Sequence, residues 1–265
     1  MKFRFLMFML LMIALRLAAQ KDTVYLNKFG DKCYPAEATA LQCFTRIADK
    51  KYKVETYKYS TGKLASIGYC LTPDSASLEG PFETFHENGQ KASEGNYAFN
   101  KLIGEWKHYY ESNGKLWYVE HFNGGFKDGE LKSYYETGEL KREEIRKFFG
   151  KMVEGKCFNK KGKEIKFTPF EIMPKPDYEL PAYLAKNINY PDAARENNLE
   201  GRVLLKFYVD ENGRIKDVEV KRHVSPEIDA EAIRVVSEMP RWEPGQIDDK
   251  VVNTYFYLPI VFALE

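Results

Sequence analysis

The side chains that could do chemistry in this chain are few and poorly spaced for it. The four histidines, His86, His108, His121 and His223, occur singly, whereas a zinc site needs His or Cys ligands grouped at short spacings. His108 and His121 are expected on exposed strand faces, and His223 in solvent near a strand end. The acid pairs Glu143-Glu144 and Asp248-Asp249 are adjacent in sequence, so in a strand their carboxylates point to opposite faces and cannot share one substrate. No Gly-x-Ser-x-Gly elbow or phosphate-cradling glycine loop is present. Cys33, Cys43, Cys70 and Cys157 have no Cys-x-x-Cys spacing; four cysteines allow three pairings, and buried thiols are the alternative to any bridge. The reading is therefore of a protein without catalytic residues, metal or cofactor. What remains is main-chain chemistry: an unpaired sheet edge presents N–H and C=O groups that bind an extended strand.

The elements that would supply such an edge lie in the last third. Val203, Leu205, Phe207 and Val209 alternate with polar or larger residues, the period of a half-buried strand. Asp210-Glu-Asn212-Gly213 turns the chain, and Ile215, Val218 and Val220 return it as a second strand. Between Pro226 and Met239, Ile228, Ala232, Val235, Val236 and Met239 fall at helical spacing. Ala182 to Asn187 and Pro191 to Asn197 read as short helices, with Pro191 suited to a first helical turn. Val251 to Leu264 reads as a last long strand. The proline-marked stretch 169–177 reads as a linker.

Residues 80–168 repeat. Gly80, Gly104 and Gly129 each precede an apolar residue by two and an aromatic by five, and Gly89, Gly114, Gly138 and Gly162 keep the same beat of 24 or 25 residues. Two markers at one period signal an array of one supersecondary unit. Asn88-Gly89 and Asn113-Gly114 mark hairpin turns, because both residues tolerate positive φ. A two-residue loop at Asn113-Gly114 would set Tyr110 opposite Trp117. The run from Gly104 to Leu116 resembles the MORN-variant repeats of bacterial secreted and antitoxin-like proteins, a building block without an implied activity. Residues 21–79 read as β-rich, with Thr61-Gly62 marking a degenerate first unit and Ala36 to Ala48 either helix or strand.

Four landmarks near the C-terminus occur in order: Tyr190-Pro191-Asp192-Ala193-Ala194, Glu200-Gly201-Arg202-Val203, Asn212-Gly213-Arg214-Ile215, and Met239-Pro240-Arg241-Trp242-Glu243-Pro244-Gly245. Together they resemble the C-terminal domain of TonB, over residues 178–265. The resemblance implies a periplasmic adaptor that accepts an extended peptide of an outer-membrane transporter along its last strand. Carried onto this chain, the peptide-binding candidates are Asn253, Thr254, Tyr255, Phe256 and Tyr257, with Tyr190 and Pro191 near the bound peptide. Trp242, Pro244 and Gly245 read instead as a packed loop that orients the last strand. The expected fold class is α+β: a β-hairpin repeat array, mostly antiparallel, followed by a small TonB-like domain of two to three helices on a three-stranded antiparallel sheet.

The first twenty residues read as a secretory signal: Lys2 and Arg4, the apolar run Phe5 to Leu15, then Ala18 and Ala19 before a cleavage point. The mature chain is then expected in the periplasm, an uncleaved inner-membrane anchor being the alternative. TonB's histidine-bearing transmembrane helix and proline-rich spacer have no counterpart, so coupling to inner-membrane motor proteins is not expected. Lys and Arg number 40 against 39 Asp and Glu, and this balance excludes a basic field for nucleic acid. The favoured partner is an outer-membrane TonB-dependent transporter or another envelope protein, and sheet edges also allow a homodimer. A repeat-based interaction protein is the second reading, and a cell-envelope hydrolase a distant third.

Overall fold

The computed structural model describes residues 22–27, 30, 32–73, 77–147 and 150–264. The expected signal segment lies outside them. The chain divides into two compact units between Thr168 and Pro169.

The first unit is one twelve-stranded antiparallel sheet whose strands follow chain order. They are Asp22–Leu26 (β1), Ala40–Ala48 (β2), Lys51–Lys58 (β3), Leu64–Cys70 (β4), Gly80–Phe85 (β5) and Lys91–Ala98 (β6). Lys101–Tyr109 (β7), Leu116–Asn123 (β8), Phe126–Tyr134 (β9), Leu140–Lys147 (β10), Lys151–Phe158 (β11) and Glu164–Ile165 (β12) complete it. Each 24- or 25-residue repeat is thus two strands of a continuous sheet. The stretch that could have been helix is β2, preceded by a single 3-10 turn at Pro35–Glu37.

The Asn-Gly turns differ from the expected geometry. The Tyr110 N–H donates to the Lys115 carbonyl, and Gly114 N–H to the Tyr110 carbonyl, so the loop has four residues, 111–114. The Asn113 carboxamide explains this: its Oδ1 accepts from Lys115 N–H (2.9 Å) and its Nδ2 donates to the Glu136 carbonyl of the next repeat (3.1 Å). Asn88 does the same with Gln90 and Glu111. Tyr110 and Trp117 still stack, at 5.6 Å between centroids, although they are not opposite one another. Further bonds join repeats at this end. The His86 ring donates to the Tyr109 carbonyl (2.9 Å), Tyr110 OH to Tyr134 (2.7 Å) and Tyr135 OH to Phe158 (2.8 Å).

One sheet face carries exposed ion pairs, such as Lys91 between Glu83 and Glu94 at 2.7 Å each. The other is buried. Trp106 lies over Gly95, where a Cβ would come within 2.2 Å of the indole, so only glycine fits. Charges are buried there too, Glu144 pairing with Arg146 at 2.9 Å. His108 was expected on an exposed face, but it stacks on Tyr118 at 4.0 Å. Burial, with some help from Lys127, pushes its pKa down to about 4. His108 is therefore neutral near pH 7, and its 3.7 Å approach to Glu120 is not an ion pair there. The four cysteines form no disulfide, and Cys70 and Cys157 are buried.

The second unit sets helices on one face of a three-stranded antiparallel sheet. The stretch read as a linker is built into it. Glu171–Ile172 (β13) and Lys175–Pro176 (β14) pair with Gln246–Ile247 (β18) and Trp242–Glu243 (β17), and β18 also pairs with Lys250–Val251 (β19). The helices are Leu180–Asn187 (α1), Asp192–Glu196 (α2) and Pro226–Ser237 (α3). The sheet consists of Gly201–Val209 (β15), Ile215–Arg222 (β16) and Thr254–Phe262 (β20), in the order β16-β15-β20. Val203, Leu205, Phe207 and Val209 are all fully buried, as are Ile228, Ala232, Val235 and Val236 of α3. Burial of each large apolar side chain is worth about 1.5–3 kcal/mol, so this interface is the unit's main source of stability. The Ser225 hydroxyl caps α3 by accepting from Ile228 N–H at 3.3 Å.

Candidate peptide-docking edge

β15 is the middle strand, so β16 and β20 are both edges. They differ as templates. The β15–β16 ladder slips twice, Asp217 sits at φ +48°, and β16 carries Lys216, Asp217, Glu219, Lys221 and Arg222. Bulges and charges of this kind blunt an edge. The β15–β20 ladder runs without a slip from Gly201↔Phe262 to Val209↔Thr254. β20 is nine residues long, and its only charge-free polar residue is Thr254 apart from the tyrosines.

Which backbone groups of β20 are free follows from parity. Asp210 N–H donates to the Arg214 carbonyl across the β15–β16 hairpin. Even-numbered residues of β15 therefore point their N–H and C=O groups at β16, and odd-numbered ones at β20. The partners of Val203, Leu205, Phe207 and Val209 are Ile260, Leu258, Phe256 and Thr254. These even residues of β20 are bound inward. Tyr255, Tyr257, Pro259 and Val261 thus turn their backbone outward. Pro259 agrees independently: it has no N–H to give β15, and within sheets proline is found at edges with that side facing solvent. The free edge therefore offers N–H donors at Tyr255 and Tyr257, a gap at Pro259, and one more donor at Val261.

The same odd residues line the sheet face away from the helices. Tyr255, Tyr257 and Val261 are 60%, 54% and 60% exposed. Lys206 lies over the Tyr255 ring at 4.3 Å, and Tyr208 meets that ring edge-on at 5.9 Å. An added strand would find aromatic side chains beside its own along half its length.

The start of β20 is fixed by the loop before it. The expected strand from Val251 breaks at 252–253, because Val252 N–H bonds the Gly245 carbonyl and the Asn253 side chain accepts from Glu211 N–H at 3.2 Å. Asn253 therefore precedes the strand. Gly245 abuts Thr254 so closely that a Cβ would lie 2.0 Å from its hydroxyl. Trp242 is buried against Phe207 and Phe256, at 5.6 and 5.1 Å, and its Nε1–H donates to Tyr178 OH at 3.1 Å. This loop packs and orients, as its residues suggested.

Tyr190 and Pro191 are elsewhere. The Tyr190 ring meets Phe262 edge-on at 5.9 Å, and its hydroxyl donates to the Leu199 carbonyl. Phe262 is seven residues along β20 from Tyr255, or roughly 23 Å at strand rise. Pro191 is the residue before α2, and its carbonyl accepts from Arg195 N–H. The structure thus brings Thr254, Tyr255, Phe256 and Tyr257 together on one edge and leaves Tyr190 and Pro191 at the other end of the strand. Within the edge group, Thr254 and Phe256 face the sheet and only the tyrosines face outward. Pro259 and Val261 were missed, although a proline inside an otherwise strand-like run is itself an edge signal.

Among the described residues, no helix is long and apolar enough to cross a membrane and no cluster of three or more His, Cys, Asp or Glu could hold a metal.

Comparison with known families agrees with this architecture. Residues 186–264 match the family described as Gram-negative bacterial TonB protein C-terminal, and residues 78–98 and 127–147 match the MORN repeat variant. No curated protein matches the chain. Among solved structures, the NMR solution structure of Helicobacter pylori TonB-CTD (residues 179-285) is similar. It is 19% identical, with 32% of this chain and 77% of that chain covered, at a TM-score of 0.26.

Proposed function

We propose that this chain is a TonB-like binding adaptor of the cell envelope, working in the periplasm, and that it captures an extended segment of an outer-membrane transporter by adding it as a strand to β20. The observation that carries the reading is the outward-facing backbone of Tyr255 and Tyr257 on a long edge strand with an unslipped ladder. Main-chain bonds give such a complex its affinity, and the alternating side chains set its register. Because Pro259 interrupts the donors, the partner's strand pairs most fully beside Tyr255 to Leu258. The role makes and breaks no covalent bond.

The test is a pull-down from solubilised outer membranes with the full exported chain as bait, beside its Tyr257→Pro variant. That change removes one outward N–H and leaves the β15 ladder whole. Transporter captured by the native chain and lost with the variant supports strand addition. Equal capture by both rules out this edge as the binding site.

A further inference from the structure

An edge built to accept another strand also accepts a second copy of itself unless something forbids it. β20 lacks most of the usual safeguards. It is nine residues long, carries no charged side chain and pairs with β15 without a slip. The outermost strands of the array, by contrast, are five and two residues long, and β16 is bulged and charged. Tyr255, Tyr257 and Val261 stand exposed along β20, where apolar side chains of a second copy would find them. The residue out of place in this strand is Pro259, itself exposed.

We propose that Pro259 determines what this edge binds, by blocking a second copy of the chain while admitting a foreign strand. A closed pair of copies joined at one shared edge is two-fold symmetric, and its two β20 strands run antiparallel. Outward-facing residues then meet outward-facing residues. Full overlap centres on Leu258 and sets Tyr255 opposite Val261 and Tyr257 opposite Pro259, each twice over. Facing residues of this kind exchange two N–H···O bonds, but Pro259 has no N–H to give. The Tyr257 carbonyl of either copy meets a pyrrolidine ring instead of a donor, and the two defects fall side by side at the centre of the pair. Centring the pair on Tyr257 or on Pro259 does not escape them. A register that spares Pro259 joins at most Tyr255 with Tyr257, and so uses only half of the outward residues of the edge.

A foreign strand is not bound by that symmetry. It meets Pro259 once, and it can end or turn away there after pairing beside Tyr255 to Leu258. Symmetry thus doubles the cost of self-pairing and spares the partner, which is how an edge discriminates between two strands of similar affinity. The inward bonds to β15 are untouched, because the backbone of Pro259 faces away from that strand. This role rests on β20 being the capture edge, as proposed above, but its test needs no transporter.

The test is the oligomeric state of the full exported chain and its variants, by sedimentation velocity over a concentration series. Pro259→Val and Pro259→Thr each regain the outward N–H without touching the β15 ladder, so their circular dichroism should match that of the native chain. Each should lower the self-dissociation constant by on the order of tenfold to a hundredfold, the worth of two restored hydrogen bonds per pair. Adding Tyr257→Pro to either should return it to native behaviour. Valine and threonine variants that both sediment as the native chain does overturn the assignment. So does a pair formed by the valine variant alone, which marks an apolar contact in place of a hydrogen bond, or one that survives Tyr257→Pro. A native chain that already pairs through β20, its dimer lost on Tyr257→Pro, overturns it as well.

Discussion

The outermost strands of the twelve-stranded sheet are five and two residues long, whereas an outermost strand of the three-stranded sheet runs for nine. The array pairs nearly all of its backbone internally and ties one repeat to the next through Asn88, Tyr110, Asn113 and Tyr135. Its exposed edges are short, which is how proteins usually suppress unwanted pairing. The second unit does this on one side only, with the bulged and charged β16. It leaves β20 straight and apolar, checked by a single proline. Antiparallel sheet is thus closed in one unit and open in the other, and the difference lies in the length, charge and register of the outermost strands.

The largest effect that would sharpen this contrast is on the loop seating β20. Trp242→Ala should lower the stability of the second unit by about 3–5 kcal/mol, the usual cost of emptying an aromatic core site. Two-wavelength or domain-resolved melting should show that transition shift while the array's remains, and peptide affinity in the folded fraction should be unchanged. A normal melt with abolished binding would make Trp242 a contact residue instead. Phe256→Pro should cost about 3 kcal/mol or more, since it deletes an inward ladder bond, while Tyr257→Pro should leave the melting curve close to native.

The array should respond to pH in a window of its own. The pKa of folded His108 lies near 4, below the ordinary value of 6.5. The unfolded chain therefore binds more protons between those values, and stability falls as the solution is acidified from about pH 6.5 to pH 4. The shift is worth up to about 3 kcal/mol. His108→Phe should flatten that slope in urea titrations. In the second unit, burial raises the Glu231 carboxyl, but bonds from Arg234 and the Asn189 N–H outweigh it and hold it net low. Its contribution is present above the ordinary carboxylate range and is lost as pH falls through the lowered value, so that unit should weaken only in stronger acid.

The smallest effect tests the stitching between repeats. Asn113→Ala removes the bonds to Lys115 and Glu136 and should cost about 1 kcal/mol, measured by chemical denaturation. No change would mean that the Asn turns shape the loop without tying neighbouring hairpins.

What was legible in the sequence tracks local physics. The alternation at Val203 to Val209 gave the middle strand because one of its faces is fully buried, and the spacing of Ile228 to Met239 gave α3 for the same reason. The 24- or 25-residue beat gave the repeat because each strand pair needs its own turn glycines. The Asn113 loop was misjudged because its length is set by a carboxamide reaching into the next repeat, and no local rule contains that contact. His108 was misplaced because its burial depends on the Tyr118 ring and the sheet's inner face. In the candidate site, the residues of the edge strand were legible, but the division between inward Thr254 and Phe256 and outward Tyr255 and Tyr257 depends on pairing parity. Tyr190 shares the domain's landmarks without sharing the edge.

Backbone amide exchange along β20 in the full chain, followed by NMR, tests the central claim most directly. In the free protein, the amides of Tyr255, Tyr257 and Val261 should exchange quickly, while those of Phe256, Leu258 and Ile260 are protected. On addition of the transporter segment recovered by pull-down, Tyr255 and Tyr257 should become protected as well. Protection of those two amides in the free monomer, or their continued fast exchange in the complex, would contradict strand addition at this edge.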